Sequence, residues 1–222
     1  DWELAHFGDR HEDLAFGCMA VWRFSRVDRP ALGLGSLQAY VDAYEAESGA
    51  KVDAGRFRFW LVYRTVWWAL GCLRMASFWR SGDDRMLERV VISRRTSEQE
   101  LDLLLLLEED APDEEQARPV PPPEKKLEAM GEASAGEIAT AIFEWLETVK
   151  HRMEGHDRFQ LAVARNALGM IARGDAVEVE FDDELLAQEL LEGERSLATP
   201  GLLAMLRRNA LDKLGADLRP QG

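Results

Sequence analysis

Asp1-Trp2-Glu3-Leu4-Ala5-His6-Phe7-Gly8-Asp9-Arg10-His11-Glu12-Asp13-Leu14-Ala15 opens a chain of 222 residues and holds most of its readable chemistry. Asp1 and Glu3 stand two residues apart, so in extended backbone both carboxylates point to one face. Gly8-Asp9 marks a turn. Arg10 follows it. Asp13 before Leu14-Ala15-Phe16 reads as a helix start, where a carboxylate accepts orphan amides and favours the helix dipole. That role is structural, not catalytic.

In this order, D-W-E-L-A-H-x-G-D followed by E-D-L-A resembles the metal-binding segment of the aminoglycoside phosphotransferase and choline kinase-like family. Its members carry D-W-E or D-F-E and then G-D-P-x-x-D-L-A. The resemblance covers about residues 1–110 and implies the C-terminal helical lobe of a protein kinase-like fold. It places Asp1 on Mg²⁺. Glu3 becomes a second contact to the ion or a carboxylate that polarises metal-bound water, with a turn-anchoring role as the open alternative. Asp13 becomes the brace of the catalytic loop. The implied cofactors of the complete enzyme are ATP and Mg²⁺, and the implied substrate is a small molecule offering a hydroxyl.

The family's H-G-D-x-x-x-x-N catalytic loop, phosphate-covering loop and nucleotide-contacting lysine all precede the aspartate matched by Asp1. No H-G-D occurs in the chain, and Gly155-His156-Asp157 has the wrong order. The expectation is therefore a C-terminal fragment of an ATP- and Mg²⁺-dependent phosphotransferase. It should contain no catalytic residue, be inactive alone, and bind neither cofactor tightly. The alternative is a non-catalytic helical binding or assembly module.

Trp60, Arg64, Trp67 and Trp68 fall at i, i+4, i+7 and i+8, on one helix face. In a lobe of this kind they are candidates for the acceptor pocket, with Arg64 offered to an anionic or carbonyl group and to an aromatic ring. Core packing of the indoles, with Arg64 reaching outward, is the competing reading.

The net charge of −14 excludes some partners. Residues 1–110 carry 14 basic and 19 acidic residues, and the rest carry 13 and 22, so both parts are acidic. Phosphate-backbone binding needs clustered Lys and Arg, which argues against nucleic acid. The most apolar run, 65–79, includes Arg74 and is too short to span a bilayer, and no signal peptide is evident. A cytoplasmic protein without a membrane role is expected. Cys18 and Cys72 sit in apolar helical contexts and read as buried thiols. The four histidines form no metal-binding spacing.

The expected fold is mainly α, a kinase-like C-lobe followed by a small helical bundle. Four of eight prolines lie in 119–123 after an acidic run, so 111–124 reads as a semi-rigid linker between a domain at 1–110 and an accessory helical domain at 125–222. Ser36 caps a helix ending near Gly49. Asp53 opens an aromatic-rich helix to about Trp79, with Gly82 as its stop. Ser97-Glu98-Gln99-Glu100 has capping-box spacing before the leucine-rich run ending near Glu109. Beyond the linker, 125–152 reads as one helix weakened by Gly131 and Gly136. Further helices are expected over 157–173, 182–193 and 199–214. Residues 177–181 alternate like a short strand or an extended loop.

This second part resembles, more loosely, a helical domain of unknown function found with such phosphotransferases, and a protein partner is its expected ligand. Arg158, Arg165 and Arg173 share roughly one face, and Asn166 within an apolar run should bridge to a neighbouring helix.

Overall fold

A computed structural model describes residues 4–23, 26–123, 133–174 and 182–217. It is mainly helical. Among the described residues no strand forms, and the only β pairing is an isolated bridge between Ala31 and Gly35. The strand-like stretch 177–181 and Gly131 lie outside the described residues. The single helix expected over 125–152 is not what forms: Ser134 is extended and caps a helix that begins only at Ala135.

The chain divides into two compact units, 1–71 and 72–222. In the first, α1 (Arg10–Phe16), α2 (Leu37–Ser48) and the start of α3 (Ala54–Ser81) surround a small core. Leu14, Ala15, Cys18, Ala31 and Phe57 form it, with Tyr40, Tyr44, Val52, Trp60 and Leu61 packed against it. Local signals set these boundaries. The Ser36 hydroxyl accepts the Ala39 amide at 3.2 Å, and Gly49 ends α2 at φ +70°, which costs glycine no Cβ clash. The Asp53 carboxylate accepts the Arg56 amide at 2.7 Å, starting α3, and Gly82 follows its end at φ +87°.

The second unit contains α4 (Leu87–Ser93), α5 (Thr96–Leu107), a short α6 (Asp113–Gln116), α7 (Ala135–Val149), α8 (Gly155–Gly174), α9 (Asp183–Glu192) and α10 (Leu202–Asp217). α7 and α8 pack as a helical hairpin, α10 lies on both α5 and α8, and α4 touches α8. Buried Leu161, Met170, Leu186, Leu202 and Leu203 belong to its interior.

This division differs from the one suggested by composition. Residues 72–110 pack with the helices beyond the proline stretch, because the apolar sides of α4 and α5 find α8 and α10. The linker is also folded at its start. Ala111 and Glu115 are buried, and the Glu115 carboxylate accepts two bonds from Arg118 and the Gly201 amide at 2.8 Å. A charged residue in an acidic run thus stays buried because its lone pairs are satisfied. Residues 119–123, which hold the four prolines, are without regular structure.

Two local expectations also change. The helix start at Arg95 has no side-chain cap. Ser97 is already inside α5, buried, and its hydroxyl donates to the Arg94 carbonyl at 3.1 Å. A capping box does form elsewhere, at Ser134 and Glu137, where it opens α7.

Candidate functional site

The described chemistry of the opening stretch is a turn and a helix start tied to α3. Asp9, not Asp13, is the N-cap of α1. Its Oδ1 accepts the His11 amide at 3.0 Å and His11 Nδ1–H at 2.6 Å. Its Oδ2 accepts Arg56 Nε and Nη2 at 3.0 and 2.5 Å and the Trp60 indole N–H at 3.0 Å. These donors hold the Asp9 carboxyl far below the ordinary carboxylate range. The His11 amide and imidazole contribute most, followed by Trp60 and Arg56. Asp13 lies inside α1 and is exposed, so the helix-start position expected for it is taken by Asp9. The reason is positional: only a residue just before the first helical turn can reach the orphan amides.

His11 is almost wholly buried. Its Nε2 accepts the Asp53 amide at 3.0 Å, so its proton sits on Nδ1, facing Asp9. One imidazole therefore links the cap of α1 to the residue that starts α3. Sequence reasoning gave His11 no role. Yet His11, Leu14, Ala15 and Cys18 recur at i, i+3, i+4 and i+7, which marks His11 as facing the core. The Asp9-x-x-Glu12 spacing was likewise a cap signal.

Glu12 and Arg64 form a buried pair at 3.4 Å. The Arg64 guanidinium carbon lies 4.9 Å from the Phe16 ring centroid and 4.4 Å from that of Trp67. Arg64 is thus enclosed between two rings and a carboxylate instead of reaching outward, and planar stacking is what makes arginine suited to that place. Trp68 packs on Trp22, ring centroids 5.3 Å apart, with its indole N–H unpaired. The four residues placed on one face by sequence therefore take different partners. Trp60 meets Asp9, Arg64 and Trp67 stack together, and Trp68 joins Trp22.

The remaining oxygen of Glu12 accepts His6 Nε2–H at 3.1 Å, and His6 Nδ1–H donates to the Leu4 carbonyl at 2.9 Å. The Leu4 carbonyl, and then Glu12, raise the His6 imidazole above its ordinary value. Asp1 and Glu3 lie outside the described residues. Asp9 and Glu12 are committed to N–H donors and cations, so neither presents a free carboxylate to a metal ion. Among the described residues no group of three or more His, Cys, Asp or Glu is placed to hold one.

In the second unit an apolar cleft of about 540 Å³ is lined by Leu87, Val90, Val91, Ala167, Met170 and Ile171. The cations at its edge are already paired, Arg94 with Asp217 at 2.7 Å and Lys213 with Glu100 at 3.0 Å. Arg165 pairs with Glu147 and lies over Phe143, and Arg173 donates to the Ala216 carbonyl, so these two are engaged within the chain. Asn166 is half-buried beside Val91, Ala162 and Val163, and no helix-bridging hydrogen bond from it is seen among the described residues. Cys18 and Cys72 are free and buried, and burial pushes both thiols up, Cys18 to about 11. No helix among the described residues is long and apolar enough to cross a membrane.

Comparison with known proteins identifies no relative: no family model, no curated protein and no solved structure matches the chain.

Proposed function

We propose that the chain contributes part of the C-terminal helical lobe of an ATP- and Mg²⁺-dependent phosphotransferase that acts on a small-molecule hydroxyl. The observation that supports this reading is the pairing of motif with anchorage. The residues after D-W-E form a turn whose Asp9, His11 and Glu12 are each bonded to residues 53–64, at the start of α3. Phosphoryl transfer depends on positioning and charge neutralisation, and a rigid support under the ion-binding segment serves both. When bound, Mg²⁺ would neutralise phosphate charge, with Asp1 and Glu3 as its protein ligands. In this reading Trp60 and Arg64 hold the turn, and the acceptor pocket is not assigned to them.

The test uses Mn²⁺ as a paramagnetic stand-in in NMR of the whole chain. Selective broadening at Asp1 to Leu4, weakened in Asp1→Asn, is expected. Uniform broadening, or broadening unchanged in Asp1→Asn, would overturn the assignment.

One observation favours the alternative of a binding or assembly module. Phe59, Tyr63, Val66 and Leu70 recur at spacings of four, three and four along α3, and all are exposed. A row of large apolar side chains on one helix face is a common mark of an interaction surface.

A further inference from the structure

We propose that His6 is a positioning residue, a proton-dependent clasp that fastens residues 4–8 to the start of α1. The argument begins with its partners. Both ring nitrogens face acceptors only: the Leu4 carbonyl at 2.9 Å and the Glu12 carboxylate at 3.1 Å. A neutral imidazole has a single N–H, so both bonds form together only when the ring carries two protons. The second acceptor is built in. Glu12 is buried and held from behind by Arg64, which is itself stacked between Phe16 and Trp67. Glu12 therefore cannot turn away without leaving the guanidinium unpaired.

Gly8 supplies an independent observation. A Cβ at this position would lie 3.1 Å from both Glu12 Oε2 and His6 Nε2, inside ordinary contact distance. A side chain at Gly8 would therefore crowd both partners of the His6–Glu12 bond and oblige one of them to shift by a few tenths of an ångström. Among the described residues, the charged groups facing His6 are Glu12 from α1, which favours its protonation, and Arg64 from α3, which opposes it. The imidazole itself is half exposed, its side chain 51% accessible, so protons exchange freely with solvent. Raised above its ordinary value, His6 contributes order that is complete below about pH 6.5 and lost as pH rises through the folded value.

Residues 4–8 directly follow Asp1 and Glu3 in sequence, so the clasp would act beside the segment proposed to bind the ion. That consequence rests on the phosphotransferase reading, whereas the clasp itself does not.

The experiment follows the His6 ring resonances and the backbone relaxation of residues 4–8 across neutral pH, without metal. The expected wild-type result is a midpoint above that of free imidazole, with residues 4–8 losing order through the same midpoint. Glu12→Gln and Gly8→Ala should each move the midpoint down. The second variant leaves the Glu12–Arg64 pair in place and so separates the clasp from a general loss of folding. His6→Gln keeps one neutral donor towards Glu12 and should remove the pH dependence while retaining part of the order; His6→Ala should lose the order at every pH. A wild-type midpoint at the free-imidazole value, or ordering of residues 4–8 that ignores pH, would overturn the proposal whatever Mn²⁺ does at Asp1.

Discussion

Asp9 accepts five hydrogen bonds from three residues, and these donors tie the start of α1 to the start of α3. Its carboxyl is held below the ordinary range, so its contribution is present above about pH 3.9 and is lost as pH falls through the folded value. Asp9→Asn should therefore lower the melting temperature by several degrees near neutrality. The gap to wild type should narrow in melts taken below about pH 4. The motif directs attention to Asp13, because E-D-L-A places a carboxylate before an apolar run. The structure starts the helix four residues earlier, and the cap moves with it, from Asp13 to Asp9. His11 escapes notice for a related reason. A histidine beside acidic residues reads as surface, and only its spacing to Leu14, Ala15 and Cys18 shows otherwise.

At the scale of elements, many local signals were legible, though the caps at Asp9 and Ser134 were not among them. Ser36, Gly49, Asp53, Asp182 and Gly193 all act where their types suggest. Ser97 is the exception. Ser97-x-x-Glu100 has the spacing of a capping box, but α4 and α5 are separated by a two-residue step, leaving Ser97 inside the second helix. Glu100 instead reaches Lys213. Ser134→Ala should cost about 1 kcal/mol and speed amide exchange at Glu137, its capped partner. Ser97→Ala should leave the exchange of the first α5 amides unchanged, because its hydroxyl bonds a carbonyl behind it. Hydrogen exchange on the two variants checks both outcomes.

At the scale of the molecule, the proline stretch suggests a division that the contacts do not follow. α5 lies on α10 and α4 on α8, although 119–123 separates them in sequence. Arg94 and Asp217, paired at 2.7 Å, are 123 residues apart. A fragment beginning at residue 72 should then unfold cooperatively, whereas one beginning at 125 should expose the apolar sides of α8 and α10 and melt broadly. Calorimetry of the two fragments distinguishes these outcomes.

The sequence by itself determined that the chain is helical and where most helices begin and end, since caps, glycine stops and apolar spacing act within a turn or two. It also carries the D-W-E, G-D and E-D-L-A order on which the proposed phosphotransferase reading rests. What only the tertiary structure decided was the choice of partners: Asp9 with Trp60, His11 with Asp53, Glu12 with Arg64 and His6, and the helices on either side of the prolines with one another. Most of these contacts join residues far apart along the chain. Many alternative pairings satisfy the same local pattern, and packing with full hydrogen bonding selects among them.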